Sequence, residues 1–389
     1  MSRVFVIAQG GGPTAVINQT VAGAALAARE RHPGCRVFGA RHGIRGVAAG
    51  DLVDLSAVSE ADLRRFADTP NSGLGSTRDK PDEAYCERIV AGLQKVNADA
   101  FIYIGGNDTA GTMGILDRIE TGPMKFIHAP KTIDNDLVEN DHTPGYISAA
   151  WFVAAAFLSV DLDFRAMPGI YVGIVMGRHA GFLTAAAAAW RREGEKDGPH
   201  LVYVPEAHFS PDKLIADIRA ARERYGRCVV AMSEGVATED GTPLAESLIP
   251  EERKERDDHG NLQLSGGDLG LALQAAISRA FPKVRARVDT FGYLPRGFAG
   301  MISDVDRREA FAIGRFAVKA ADRESGSVAM QYADGATSLK LVPLAAVAGK
   351  TKHMPRDFVT PERNDITAAC RAYLARLVPP RPEAWTPFV

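Results

Sequence analysis

A chain of 389 residues has room for two or three ordinary domains, and 46% apolar residues are enough for more than one buried core. Its 46 basic and 48 acidic residues leave a formal charge of −2 and a pI near 6.5, which argues against a general nucleic-acid or membrane-surface binder and obliges any phosphate ligand to find a local basic pocket. Cys35, Cys86, Cys228 and Cys370 are far apart and form no metal-spaced pair, so reduced thiols in a cytoplasmic protein are expected, with no disulfide framework.

In chain order, residues 3–8 read as a buried strand, Gly10-Gly11-Gly12-Pro13 as a tight turn, and Thr14 to about Glu30 as an Ala/Val-rich helix, which makes a first βα unit. Short strands are expected at 36–40, 100–105 and 125–129, separated by helical patterns of the length a right-handed crossover needs. A doubly wound parallel sheet follows. Residues 146–159 read as a nearly all-apolar helix, yet no apolar run approaches the roughly 18 residues of a membrane span. A strand at 169–176 opens a second lobe, continued by 201–204, the helix 211–224 with proline in its first turn, the strand 227–233 and the helix 270–281. The charged run 251–259 reads as a solvated loop. Residues 288–294 and a helix at 307–321 are expected to return towards the first lobe, and the chain after 325 reads as a small sheet and tail. The predicted class is α/β, two similar Rossmann-like lobes with mainly parallel sheets and an active-site cleft between them.

Three clusters carry chemistry. The glycine turn Gly10-Gly11-Gly12 precedes a helix, so bare amides and the helix dipole can face an anion; its spacing fits neither the dinucleotide fingerprint nor the Walker loop, which sets aside a nicotinamide enzyme. Gly105-Gly106-Asn107-Asp108-Thr109 repeats the arrangement, with Asp108 either a helix cap or a ligand. Between Ala129 and Leu137, two carboxylates and a lysine crowd one loop. Asp134 and Asp136 face one side of an extended chain, and Lys131 the other unless Pro130 turns it. Met176-Gly177-Arg178-His179 adds an arginine from the second lobe, whose alternative is a surface salt bridge; His179 reads as a helix-start histidine.

These stretches resemble the phosphofructokinase family over most of the chain. The matching segments are Gly11-Gly12 with Asn18, Gly75-Ser76-Thr77-Arg78, Gly105-Gly106-Asn107-Asp108-Thr109, Thr132-Ile133-Asp134-Asn135-Asp136, Met176-Gly177-Arg178, Pro205-Glu206, and Arg287 with Gly292-Tyr293-Leu294-Pro295-Arg296, in the family's order. The resemblance implies a donor-binding lobe of 1–143 with about 292–325, and an acceptor lobe of 144–291 with about 326–389. It implies that Asp134 is the general base, an ordinary carboxylate being ionised at neutral pH, that Asp136 supports it or reaches a metal, and that Lys131 and Arg78 hold the donor with the amides of Gly11, Gly12 and Gly106. Arg178 joins the catalytic set. Thr132, Met176, Gly177, Arg178, Glu206, Tyr293 and Arg296 match acceptor positions, and Arg287 one supplied by a neighbouring subunit, so a homodimer or homotetramer is implied. Mg²⁺ should bridge the phosphates, with Asp108 and Asn107 as the metal candidates.

In members that use ATP, the positions of Asp108 and Lys131 are glycines. Here a carboxylate repels an α-phosphate while the lysine neutralises a small donor, which is similar to the pyrophosphate-dependent branch. The implied reaction is transfer from pyrophosphate to the 1-hydroxyl of fructose 6-phosphate. Asn107 replaces a metal-binding aspartate, and Tyr293 and Pro295 replace the His and Gln of ATP users. Gly169 stands where the family places a cation from the neighbouring subunit on the acceptor's phosphate, with Arg165 as a nearby substitute if the backbone register shifts. Another sugar acceptor, an ATP-dependent kinase and a non-catalytic family member are the alternatives.

Overall fold

The structure is a computed structural model that describes residues 2–192, 194, 196–249 and 268–383. The run 251–259 lies outside them. The chain divides into two compact units, Met1–Ala149 with Arg296–Lys352, and Ala150–Pro295 with His353–Val389.

The first unit is built on a seven-stranded sheet of order β11-β10-β5-β4-β1-β2-β3. Its strands are β1 (Val4–Gln9), β2 (Arg36–Ala40), β3 (Leu52–Asp54), β4 (Ala100–Gly105), β5 (Lys125–Pro130), β10 (Gly326–Ala333) and β11 (Ala336–Val342). β3 and β11 are antiparallel edges and the other neighbours pair in parallel. β1, β4 and β5 are nearly continuous apolar runs because helices cover both faces. Along β1, Phe5 and Ile7 pack with Ile17 and Val21 of the helix Ile17–Arg31 and with Ile313 and Ala317 of the helix Asp304–Ala321. Val4, Val6 and Ala8 turn to the other face, against Ile44, Val47, Ile89 and Leu93. From β1 the chain steps outward to β2, then returns to β4 on the opposite side. The loops after β1 and β4 therefore leave in opposite directions, which opens a ligand crevice at the strands' C-terminal ends.

The second unit carries an all-parallel sheet of order β7-β8-β6-β9, with β6 at Ile170–Val175, β7 at Leu201–Tyr203, β8 at Cys228–Ser233 and β9 at Ala286–Thr290. The helix Pro211–Tyr225 shows how locally its elements are set. Ser210 accepts the N–H of Lys213, proline opens the first turn, and Gly226 closes the helix at φ +76°.

Three expectations change. Residues 326–352 join the first unit, because β10 pairs with β5. Residues 286–290 form an edge strand of the second sheet, so the return to the first unit begins only at Arg296. The helix at 146 runs on to Ala166, and by length and composition it could cross a membrane. Over half of its apolar window is buried inside the protein, and its Asp161 binds Arg165 and Arg227, which suits a core helix. The four cysteines are buried and free.

Candidate active site

The crevice of the first unit is lined by the two glycine turns and the loop after β5. Gly10 N–H donates to Ile104 O at 2.8 Å and Gly11 N–H to Thr77 O at 2.9 Å, while Ser76 Oγ donates to Gly11 O at 2.7 Å. Gly11 has φ +73°, and a Cβ there would lie 3.4 Å from Lys131 Nζ. A Cβ on Gly12 would lie 3.2 Å from the guanidinium carbon of Arg296. Bare backbone thus lets two cations come close, and Lys131 Nζ donates to Gly12 O at 2.6 Å. Burial pushes the Lys131 ammonium down to about 8, Arg296 and Arg78 adding to the effect and Asp134 and Asp136 opposing it. Arg296, expected as an acceptor contact, lies beside Gly12 and Lys131. Across the crevice, the helix Asn107–Leu116 begins at Gly106 with no side-chain cap, so its first amides are open to an anion. Asp108 is not the cap: it is 64% exposed, with Oδ1 3.2 Å from Lys80 Nζ.

The carboxylate loop is not extended. Thr132 bridges to Gly145, Thr143 Oγ1 donates to Thr132 O at 3.0 Å, and the Asp134 N–H donates to Thr132 Oγ1 at 3.1 Å. Asn135 is fully buried with φ +58°, so Asp134 and Asp136 do not share a side through strand alternation. Asp136 Oδ2 instead accepts from Asn107 Nδ2 at 2.7 Å. Lys352, which the sequence reading passed over, donates from Nζ to Asn135 Oδ1, Asn140 O and Asp141 O. Burial pushes its ammonium down to about 7, against the pull of Asp141 and Asp136. The signal was available in a lysine-rich turn, Lys350-Thr351-Lys352, at the end of the unit.

Among the described residues no cluster of three or more His, Cys, Asp or Glu is arranged to hold a metal. Mg²⁺ does not demand one, since it keeps several waters and takes one or two protein oxygens plus substrate phosphates. Asn107 Oδ1 is buried and makes no hydrogen bond. That orphaned oxygen, beside the Asp136 carboxylate, fits a hard cation better than the exposed Asp108 does.

Gly11, Gly12, Thr77, Arg78, Asp79, Tyr103, Asp108 and Thr109 line a pocket of about 120 Å³. The Arg45 guanidinium holds the Asp79 carboxyl down to about 2, so this wall stays negative beside Asp108. Beneath the crevice, His128 Nε2 lies 3.0 Å from Gly105 O and Nδ1 2.8 Å from Ser327 Oγ. Burial pushes His128 down to about 4. The unfolded chain binds the extra proton below pH ~6.5, so this neutral histidine's contribution is present above ~6.5 and lost as pH falls towards 4, up to about 3 kcal/mol. Urea melts of His128→Gln between pH 7 and 4 should show a flatter acid limb than wild type. An unchanged limb would assign the acid sensitivity elsewhere.

The second unit groups some of its expected residues and separates others. Met176-Gly177-Arg178 leaves the C-terminal end of β6. Gly177 has φ +136°, and a Cβ there would lie 2.7 Å from Ala180 O, so no other residue is accommodated without strain. The Arg178 side chain is 80% exposed, with Nε 3.7 Å from Glu234 Oε1. Glu206 accepts the N–H of Gly181 at 3.1 Å and of Met354 at 2.8 Å, and burial pushes its carboxyl up. It also lines an open pocket of about 890 Å³ with His208, Glu239, Arg356 and Arg363. Arg287 is not with them. It pairs with Tyr171 near the start of β6, is exposed, and donates to its own neighbour's carbonyl, Ala286 O, at 2.8 Å. Tyr293 is 69% exposed. A Cβ at Gly169 would lie 2.5 Å from Arg285 O, so the strand pairing there admits no larger residue. Arg165 is no substitute, being held by Asp161 at 3.0 Å and Asp197 at 2.7 Å.

Comparison with known proteins bears on this arrangement. The phosphofructokinase family model matches residues 4–321. A pyrophosphate–fructose 6-phosphate 1-phosphotransferase of Rhodospirillum rubrum is 47% identical over 382 residues, 96% of this chain and 93% of that protein. An enzyme of the same name from Halomonas elongata is 34% identical over 399 residues, 98% of this chain and 92% of that one. The crystal structure of a pyrophosphate-dependent phosphofructokinase from Nitrosospira multiformis superposes with TM-score 0.85 at 28% identity, covering 100% of this chain and 96% of that one. With the family model matched over residues 4–321 and a relative 47% identical along nearly its whole length, the chain belongs to the phosphofructokinase family.

Proposed function

We propose that this protein transfers a phosphoryl group from pyrophosphate to the 1-hydroxyl of fructose 6-phosphate, giving fructose 1,6-bisphosphate and phosphate. The observation that carries this reading is the buried Lys131 ammonium, donating to Gly12 O, on the glycine turn that with Arg78, Asp79 and Asp108 lines a pocket of only about 120 Å³. A nucleotide is a drug-sized ligand and such ligands take pockets of roughly 300–1,000 Å³. A compact, highly charged donor suits both the volume and the cations, and the negative wall repels an α-phosphate. The names of the Rhodospirillum and Halomonas relatives agree.

In this reading Lys131, Arg78 and the amides of Gly12 and Gly106 orient the donor and absorb its charge, which is most of what phosphoryl transfer asks of a protein; the Gly11 amide is taken by Thr77 O, and that glycine contributes its bare Cα. Asp134 takes the proton of the acceptor hydroxyl. Thr132, Arg178 and Glu206 orient the sugar. Asn107 and Asp136 would hold Mg²⁺, which when bound neutralises phosphate charge. Arg287, exposed on the edge strand β9, serves the site of a neighbouring copy, and the four free thiols suit a cytoplasmic setting.

Turnover with pyrophosphate and Mg²⁺, and none with ATP, is the expected result of a donor panel. ATP use without pyrophosphate use would overturn the donor. A second reading, another sugar or sugar phosphate as acceptor, is favoured by Gly169 and by the engagement of Arg165. The absent cation is worth about 1.5–3 kcal/mol to a bound dianion. An acceptor panel decides between them, and a clear preference for fructose 6-phosphate removes the second.

A further inference from the structure

We propose that Lys352 is a positioning residue for phosphoryl transfer, a strap from the far end of the first unit that sets the loop bearing Asp134 and Asp136. This rests on the function proposed above. The lysine lies 217 residues from Asn135 in sequence, yet its Nζ reaches Asn135 Oδ1 at 3.1 Å, Asn140 O at 2.9 Å and Asp141 O at 3.0 Å. Its own N–H donates to Asp136 O at 2.7 Å. One residue thus brackets the loop from 135 to 141, with three contacts of its side-chain nitrogen and one backbone donor.

The loop needs such a brace. It belongs to no strand or helix between Lys131 and Leu137, apart from the Thr132 bridge, so no ladder fixes its shape. Asn135 lies in the left-handed region at φ +58°, a conformation that asparagine adopts more readily than most L-residues, and its side-chain oxygen is the one Lys352 holds. Asn135 separates the two carboxylates, and any relaxation of its φ swings Asp134 and Asp136 apart. Asp136 is further tied to Asn107 at 2.7 Å, so the displacement would reach both the base and the metal-facing pair. Lys352 touches no reacting atom in this arrangement; it acts through the loop.

The test compares full-length Lys352→Met, Lys352→Gln and Lys352→Arg with wild type, on whichever donor and acceptor wild type uses. Failure of wild type to use pyrophosphate would sink the functional reading, while the variant-to-wild-type ratio reads the strap separately. Lys352→Met is expected to lose kcat by about 10- to 100-fold, the scale of a 1 Å misplacement, with both KM values within about threefold. Lys352→Arg should recover part of the loss. In the ligand-free protein, amide exchange across 132–141 should accelerate at least about tenfold in Lys352→Met, with the core strands β1 and β4 unchanged. Unchanged kcat, unchanged exchange, a rise in KM alone, or failure of all three variants to fold would overturn the proposal, the last by making the lysine a general structural requirement.

Discussion

Asp134→Ser is expected to abolish turnover, lowering kcat by roughly a thousandfold, within the range that a positioned general base contributes. The backbone role of the position survives the change, because it is the Asp134 N–H, not its side chain, that donates to Thr132 Oγ1 at 3.1 Å. The residue is half-buried in the loop and no part of an apolar cluster, so the melting temperature should move by only a few degrees. Asp136 is poorly placed to take over, its Oδ2 being engaged by Asn107 Nδ2. A base used in the chemical step should lower kcat and kcat/KM together and leave donor binding almost untouched. Steady-state kinetics with both substrates varied decide this. Activity within tenfold of wild type would show that another group takes the proton.

How far the sequence could lead is clearest where it failed. The strands β1 and β4 are nearly continuous apolar runs, and the glycine turns that follow them are local signals, so the crevice could be read from short stretches. β10 could not be placed the same way. Its pairing with β5 links Ser327 to His128 across 199 residues, and no local pattern distinguishes which sheet a late strand will join. The carboxylate loop failed for a related reason. Alternation through Asp134, Asn135 and Asp136 held only if the chain was extended. The left-handed Asn135 is sustained by Lys352 from the end of the unit. Asp108 shows the reverse case: its residue type was informative, but it is not the cap because the helix begins at Asn107 with Gly106 in the cap position, which leaves Asp108 in the first turn beside Lys80. Residue identity pointed to the candidate site, and long-range contacts set its geometry.

Lys131→Met should move activity and stability in opposite directions. On activity, the variant loses charge-assisted bonds to donor phosphate worth about 1.5–3 kcal/mol each, so two of them predict a fall of roughly 10²- to 10⁴-fold in kcat/KM for the donor. In wild type, burial holds the free-enzyme ammonium at about 8, so kcat/KM should be level from about pH 6 up to that value and fall about tenfold per unit above it as the charge is lost. On stability, the folded value lies below the unfolded value of ~10.4, so the unfolded chain binds more protons between about 8 and 10.4 and stability rises with pH across that window. The buried charge therefore costs up to about 3 kcal/mol at neutral pH. Methionine fills similar space without it, at the loss of the bond to Gly12 O. Desolvation of an ammonium outweighs one hydrogen bond, so the variant should melt no lower than wild type at pH 7, and its stability should rise less steeply between pH 8 and 10 than wild type's, the buried Lys352 still contributing there. A donor kcat/KM within tenfold of wild type would remove Lys131 from the donor site. A large loss of both activity and stability would instead make it a structural anchor of the glycine turn, since only a residue kept for its charge towards a ligand gives up stability to stay there.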